Sequence, residues 1–273
     1  MKNLLVRAAS GVIYVGVIIL TIFYGGDYGF PALCCLMAAV ASTEFFRMTD
    51  AGGGMDTTMF YDIMAVLALT LLPLINNLMG VNALIAAVIA LFTLRLVMQL
   101  YKHDHSPAQR VALSLMSYAY IGITLGTATI LYLLYGPALV FTMFAMIWLN
   151  DTGAYLVGSA IGRHKLFKRI SPNKSWEGFF GGLAFAVATG AVISLYVPFL
   201  ETGLSLTGMC LLGLTVCIAG TWGDLFESLL KRAAHVKDSG HIMPGHGGIL
   251  DRIDSLLFVA PATWLFMLVC SYF

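Results

Sequence analysis

The densest chemistry in the sequence lies between residues 220 and 255. The run Gly220-Thr-Trp-Gly223-Asp224-Leu-Phe-Glu227-Ser228-Leu-Leu-Lys231-Arg232 puts acid, hydroxyl and cation at i,i+3 and i,i+4. On a helix, Asp224, Glu227 or Ser228, and Lys231 therefore share one face. Next come Lys237-Asp238-Ser239-Gly240 and Pro244-Gly245-His246-Gly247-Gly248-Ile-Leu-Asp251-Arg252-Ile-Asp254-Ser255. Glycine-rich backbone running into a helix N-terminus is an anion-binding arrangement. Asp251 and Asp254 beside it would repel an anion unless a divalent cation sat between them. Carboxylates without cysteine favour Mg²⁺, held jointly by protein and substrate phosphates. Lys and Arg would neutralise the remaining phosphate charge. Capping aspartates in a surface turn would not require two acid pairs, a Lys-Arg, a Lys-Asp and a His-Gly-Gly so close together. His246 suits either proton transfer or a hydrogen bond to phosphate or backbone.

Two further clusters lie upstream. Asn150-Asp151-Thr-Gly-Ala154-Tyr155 places an aspartate inside an apolar stretch. Such a group costs roughly 2.5–3.5 kcal/mol on insertion scales and is a functional candidate by default. Five cations, from Arg163 to Lys174, fall within twelve residues. Lys165, Lys168 and Arg169 suit a basic loop against anionic lipid. Ser171-Pro172-Asn173-Lys174-Ser175 reads as a loop whose small hydroxyls, rigid Pro and Lys precede a helix starting near Trp176. Hydroxyl and amide donors there, with a lysine, suit a phosphate. No G-x-x-x-x-G-K-[ST] is present, so this is not a P-loop.

The elements that must position these residues are helices in a membrane. Of 273 residues, 59% are hydrophobic and only 11% charged, with a mean hydropathy of +0.88. A soluble domain is about 25% charged, so the composition excludes an ordinary cytosolic enzyme, a nucleic-acid binder and a disordered chain. Period-2 alternation is absent, which argues against a β-barrel. The expectation is an all-α polytopic membrane protein with about nine transmembrane helices, near 4–24, 29–48, 59–76, 78–99, 111–135, 137–158, 178–200, 205–227 and 255–272. Asn76-Asn77 would turn a helical hairpin, and Pro137 would open the sixth span. The first span is too long for a signal-peptide core and lacks a cleavage site, so it reads as uncleaved. With nine spans, 14 of the 15 Lys and Arg fall on the amino-terminal side, and Arg95 can snorkel toward it. That side is cytoplasmic by the positive-inside rule, and it carries every polar cluster. The five cysteines lie inside apolar spans and read as small packing residues. Polar content divides the chain into residues 1–135, read as packing helices, and residues 136–273, where function is to be sought.

Ser228-x-x-Lys231-Arg232, then Lys237-Asp238-x-Gly240, then Pro244-x-His246-Gly247-Gly248-x-x-Asp251-Arg252-x-Asp254 closely resembles the signature of the phosphatidate cytidylyltransferase (CDP-diacylglycerol synthase) family. Asn150-Asp151-x-x-Ala154-Tyr155, Gly162-Arg163-x-Lys165 and Ser171-Pro172-x-Lys174-x-x-Glu177-Gly178 also look like it. Met243, where Leu, Ile or Phe is usual, and Ser175, where Thr is expected, are departures that keep chemical character. The resemblance implies transfer of CMP from CTP to phosphatidic acid, giving CDP-diacylglycerol and pyrophosphate. It implies a di-cation site on Asp224 and Asp251, with Asp254 and Asp238 as second choices, for Mg²⁺ and a second cation such as K⁺. Ser228, Lys231 and Arg232 would hold phosphates with Ser171, Lys174 and Ser175. Lys237 and the Gly245–Gly248 turn would hold the nucleotide, and Asn150, Asp151, Asp238, His246 and Arg252 complete the substrate-binding set. A homodimer in a bacterial inner membrane, with its site facing the cytoplasm, is implied too. Two other readings of the same chemistry are a CTP-dependent lipid or polyprenol kinase and an ion-coupled transporter. Transport would set acids near the bilayer midplane, whereas here they gather at one interface.

Overall fold

The computed structural model describes residues 2–49, 56–103, 106–200, 202–243 and 247–272. Its helices are α1 (Lys2–Tyr24), α2 (Gly26–Thr49), α3 (Thr57–Leu100), α4 (Pro107–Ser117), α5 (Thr124–Ile161), α6 (Trp176–Tyr196), α7 (Leu206–Ala233) and α8 (Leu250–Tyr272). A π-helical turn, Tyr118–Ile123, joins α4 to α5, and a two-stranded hairpin, β1 (Lys165–Phe167) and β2 (Ser171–Ser175), precedes α6. Among the described residues six helical stretches are long and apolar enough to cross a membrane: Gly26–Thr49, Thr57–Ile75, Pro107–Ile161, Trp176–Tyr196, Leu206–Ala233 and Leu250–Ser271. Ala9–Tyr24 and Ile85–Leu100 are apolar but shorter. The protein is thus an all-α membrane protein, with six such helices by this criterion against the nine expected.

The difference lies in where helices join. Hydrogen bonding is helical from Thr57 to Leu100, through Asn76-Asn77, with no intervening coil. Yet α3 cannot be one straight rod. Asp62 and Arg95 are 33 positions apart, about 50 Å along an ideal helix, and Arg95 Nε lies 3.0 Å from Asp62 Oδ1. Tyr61 Oη likewise donates to Leu91 O at 2.8 Å. The chain therefore doubles back between these pairs. The 55-residue stretch Pro107–Ile161 is broken at Gly136, whose φ of +79° and ψ of −178° leave the helical region. No atom would obstruct a Cβ there, so the backbone conformation, not space, calls for glycine. Pro137 follows directly, where its missing N–H costs no helical hydrogen bond.

The chain divides into two compact units, Met1–Ile130 with Val236–Asp251, and Leu131–His235 with Arg252–Phe273. In the first, Phe30, Cys34, Ala38 and Phe45 of α2, Val66 of α3 and Ile121 of the π-turn are fully buried. Within this apolar packing sits a polar knot. Asp62 accepts from Arg95 Nε, from Ser114 Oγ at 2.6 Å and from Tyr118 Oη at 2.5 Å, while Arg95 Nη1 donates to Gln99 Oε1 at 3.0 Å. Buried charge is tolerated because each partner is satisfied by the others. The widened π-turn delivers Tyr118 to this knot and sets Gly122 against Leu69. Asp56 caps α3 through the Met59 amide at 2.8 Å and pairs with Lys102 and Arg110.

In the second unit, α5, α6 and α7 approach closely through small residues, as membrane helices do. A Cβ at Gly182 would come within 2.6 Å of Asn150 Oδ1, and one at Gly213 within 2.8 Å of Ala186 O. Ser175 (φ −128°, ψ 158°) caps α6 by accepting the Gly178 amide at 3.1 Å. The hairpin is fastened at its base. Trp176 N donates to His164 O at 2.9 Å, and Glu177 accepts the His164 amide at 3.2 Å from each oxygen.

Candidate functional site

The second unit gathers most of the residues picked out from the sequence. α7 continues to Ala233, so Asp224, Glu227, Ser228 and Lys231 do lie on one helix at the expected spacing. α8 crosses α7 where Gly220 and Gly223 leave room. A Cβ on Gly223 would lie 2.6 Å from Asp254 O, and Ser255 Oγ donates to Gly220 O at 3.2 Å. That crossing sets Asp254 beside Asp224 and Glu227, and ligand oxygens of the three lie within 4.8 Å of one another. Glu227 is fully buried, and Asp224 and Asp254 are half-buried.

Cations accompany these acids. Lys231 Nζ pairs with Glu227 one turn earlier. Lys174 Nζ reaches Asp224 Oδ2 at 2.6 Å, and Ser228 Oγ lies 3.3 Å from Asp224 Oδ1. Lys174 arrives because the hairpin packs on α7. Phe167 meets Trp222 edge-on at 6.3 Å, and Trp222 stacks on Phe179 at 6.2 Å. Asp254 is within electrostatic reach of Asp224, Asp151 and Lys174. Asp151 is within reach of Asp224, Lys174 and Arg252, and accepts from Asn150 Nδ2 at 3.3 Å. The second unit thus brings together Asp151, Asp224, Glu227 and Asp254 with Lys174, Lys231 and Arg252. Ser171–Ser175 is a strand paired with β1, Phe167 opposite Ser171 and Lys165 opposite Ser175, where a loop was expected. The Ser175 hydroxyl is engaged in capping α6. Arg232 lies in the last turn of α7, where a cation complements the helix dipole.

Lys237, Asp238, Gly247, Gly248 and Asp251 belong to the first unit; Gly245 and His246 lie outside the described residues. Asp251 Oδ2 accepts from Ser239 N at 2.9 Å, Ser239 Oγ at 2.9 Å and Gly248 N at 2.8 Å. Asp251 thus binds its own loop, while Glu227, unassigned as a ligand from sequence, stands with Asp224 and Asp254. Glu44 of α2 was not singled out. It is 4% exposed, and accepts from Ile249 N at 3.1 Å, Leu250 N at 2.9 Å and Ser239 Oγ at 3.2 Å. The sequence signal for both glutamates was the same: an acid within an apolar helix is expensive unless it has a use.

Clustered carboxylates at one helix crossing, with Lys174 and Lys231 paired to two of them, mark a helical membrane protein with a charged site. The model for the cytidylyltransferase family matches residues 5–270, and the chain belongs to that family. Among curated proteins, it is 45% identical over 152 residues to the phosphatidate cytidylyltransferase of Staphylococcus saprophyticus, covering 55% of this chain and 56% of that one. It is 44% identical over 158 residues to the protein of the same name from Staphylococcus aureus, covering 55% and 56%. Identity to that of Bacillus subtilis is 43% over 137 residues, half of each chain. The chain thus spans about half the length of the curated relatives it matches.

Proposed function

We propose that this protein is a phosphatidate cytidylyltransferase, taking CTP and phosphatidic acid to CDP-diacylglycerol and pyrophosphate. The reading is carried by the Asp224, Glu227 and Asp254 cluster with Lys174 and Lys231 against it. An oxygen of the lipid phosphate attacks the α-phosphorus of CTP, the bond from that phosphorus to the bridging oxygen breaks, and pyrophosphate departs with the electron pair. The nucleophile is already an anion, so no strong base is needed; positioning and charge neutralisation carry the reaction.

The donor set suits Mg²⁺, which takes oxygen ligands at about 2.1 Å in octahedral array, hence oxygens roughly 3–4 Å apart. The three carboxylates, within 4.8 Å of one another, are compatible with that spacing. Bound there, Mg²⁺ would offset the negative charge of the phosphates. Lys174 and Lys231, now paired with Asp224 and Glu227, would then be placed to meet the phosphate oxygens. A second cation such as K⁺, a homodimer, and a bacterial inner membrane with the site facing the cytoplasm complete the reading. A single cysteine placed at 163–175 should be labelled only from the cytoplasmic face; external labelling in intact cells would overturn that orientation.

The deciding assay uses the protein in phosphatidic acid vesicles with CTP labelled at the α- or the γ-phosphate. Mg²⁺-dependent incorporation of α-label into lipid, with γ-label in pyrophosphate, is the expected result. γ-Label in lipid would make the protein a kinase instead. Asp224→Asn and Asp254→Asn should each retain under about one-hundredth of turnover, given what a lost charge stabiliser costs. Normal turnover in either variant would sink the cation assignment.

A further inference from the structure

We infer that Glu44 is a positioning residue for the segment that carries Lys237, Asp238 and Asp251. It stands 195 positions before Ser239, on a helix whose other buried residues are mainly apolar. One oxygen takes Ile249 N, and the other takes Leu250 N and the Ser239 hydroxyl. These amides belong to the first turn of α8 and its approach, where no preceding helical turn offers them a carbonyl, and a carboxylate there is favoured by hydrogen bonding and by the helix dipole. Asp251 completes the frame from the other side, through Ser239 and Gly248. Two glycines record the closeness of the fit, since a Cβ at Gly240 or Gly248 would strike the Glu44 carboxylate. Ser239 hydrogen-bonds both acids, so shifting Glu44 shifts Asp251 with it.

The assignment rests on the cytidylyltransferase reading for its kinetic consequence and not for its structural one, and the experiment separates the two. Glu44→Gln is nearly isosteric, but its amide nitrogen must face an N–H or hydroxyl donor that the carboxylate had accepted. Hydrogen exchange in the full-length protein in vesicles should show protection lost at Ser239 and at residues 248–250 and retained in α2 and α7. In the transfer assay the half-saturating CTP should rise about ten- to a hundredfold, the range for one charged hydrogen bond. The half-saturating phosphatidic acid should stay put, a split that a general loss of fold would not produce. Glu44→Asp, which keeps the charge, should recover part of both effects. Should Glu44→Gln not fold, Ser239→Ala removes the shared hydroxyl and should show the same pattern more weakly. Unchanged protection at Ser239 and 248–250 overturns the inference, as does lost protection with unchanged CTP dependence in an active protein. A wild-type protein without cytidylyl transfer would refute the proposed activity, while the exchange result would still decide whether Glu44 holds the segment.

Discussion

Glu227 presents a choice that kinetics and stability together can decide. It is fully buried, its Lys231 partner is 13% exposed, and one of its oxygens lies within 4.8 Å of a carboxylate oxygen of Asp224 and of Asp254. It is either the counter-ion of Lys231 or a ligand for a cation that Lys231 replaces when the cation is absent. Glu227→Gln leaves the Lys231 ammonium without its ion pair in a buried setting. Removing one partner of a buried pair costs about 3–5 kcal/mol. For a chain of this size each kcal/mol shifts Tm by roughly 2–4 °C, so the melting temperature should fall by about 10 °C. Lys231→Met leaves a buried carboxylate instead, and Mg²⁺ should restore it. A cation at a hundred times its Kd adds about 2.7 kcal/mol, so Mg²⁺ should raise the Tm of Lys231→Met more than that of the wild type. The double variant removes both charges and should return to within about 1 kcal/mol of wild-type stability. Its half-saturating Mg²⁺ in the transfer assay should nonetheless stay at least ten- to a hundredfold high, the penalty for losing even an outer partner of a metal ligand. Thermal melts and Mg²⁺ titrations of the four proteins complete the cycle. If the double variant regains wild-type Mg²⁺ dependence along with stability, Glu227 is only the counter-ion of Lys231 and the three-carboxylate assignment is wrong.

Three further outcomes follow from the geometry. Burial alone would raise the Asp56 carboxyl, but Lys102, the Met59 amide and Thr58 together hold it below the ordinary aspartate value of 3.8. A lowered folded value stabilises above the unfolded one, so Asp56→Asn should cost about 1 kcal/mol at pH 7 and progressively less as pH falls below 3.8; melts across that range would show a pH-independent cost if the ion pairs were idle. Arg95→Met should destabilise by about 3–5 kcal/mol, and adding Asp62→Asn should recover most of it; an additive double variant would mean that the two do not interact. Gly223→Ala drives a Cβ against the Asp254 carbonyl and should cost about 1–3 kcal/mol while lowering transfer, because the same crossing carries Asp224 and Asp254; unaltered activity would show that the crossing does not set their spacing.

The sequence disclosed what local spacing can disclose. The face bearing Asp224, Glu227, Ser228 and Lys231 was visible because i,i+3 and i,i+4 are properties of one helix. The helix start at Trp176 was marked by Ser175, and the break beside Pro137 by proline itself. Local spacing could not reach Glu44, whose partners lie some 200 positions away. Nor could it pair Asp62 with Arg95, since that requires knowing that α3 doubles back. The hairpin at 165–175 was read as a loop because its strands are short, charged and interrupted by Pro172. Asp251 and Asp254 look equivalent in sequence. One is drawn to Ser239 and Gly248, the other to the acids of α7, and only the third dimension separates them.

The glycines before α8 show how that separation bears on chemistry. Glycine-rich backbone entering a helix suggests that its amides await a phosphate. Here Gly248 N already donates to Asp251, and Ile249 N and Leu250 N donate to Glu44. Gly247, at φ +84°, has Asp251 Oδ2 within 2.6 Å of where its Cβ would be. These glycines admit two carboxylates to the helix end, so its N-terminal amides are already satisfied, one by Asp251 and two by Glu44 of α2. A phosphate arriving there would have to displace negative charge. Lysines offer it a cheaper exchange, because Lys174 and Lys231 are held by carboxylates that a divalent cation would claim. Were a divalent cation to claim those carboxylates, as the proposed function requires, Lys174 and Lys231 would turn to phosphate, and cation dependence, more than loop sequence, would be the property that tests the proposed reaction.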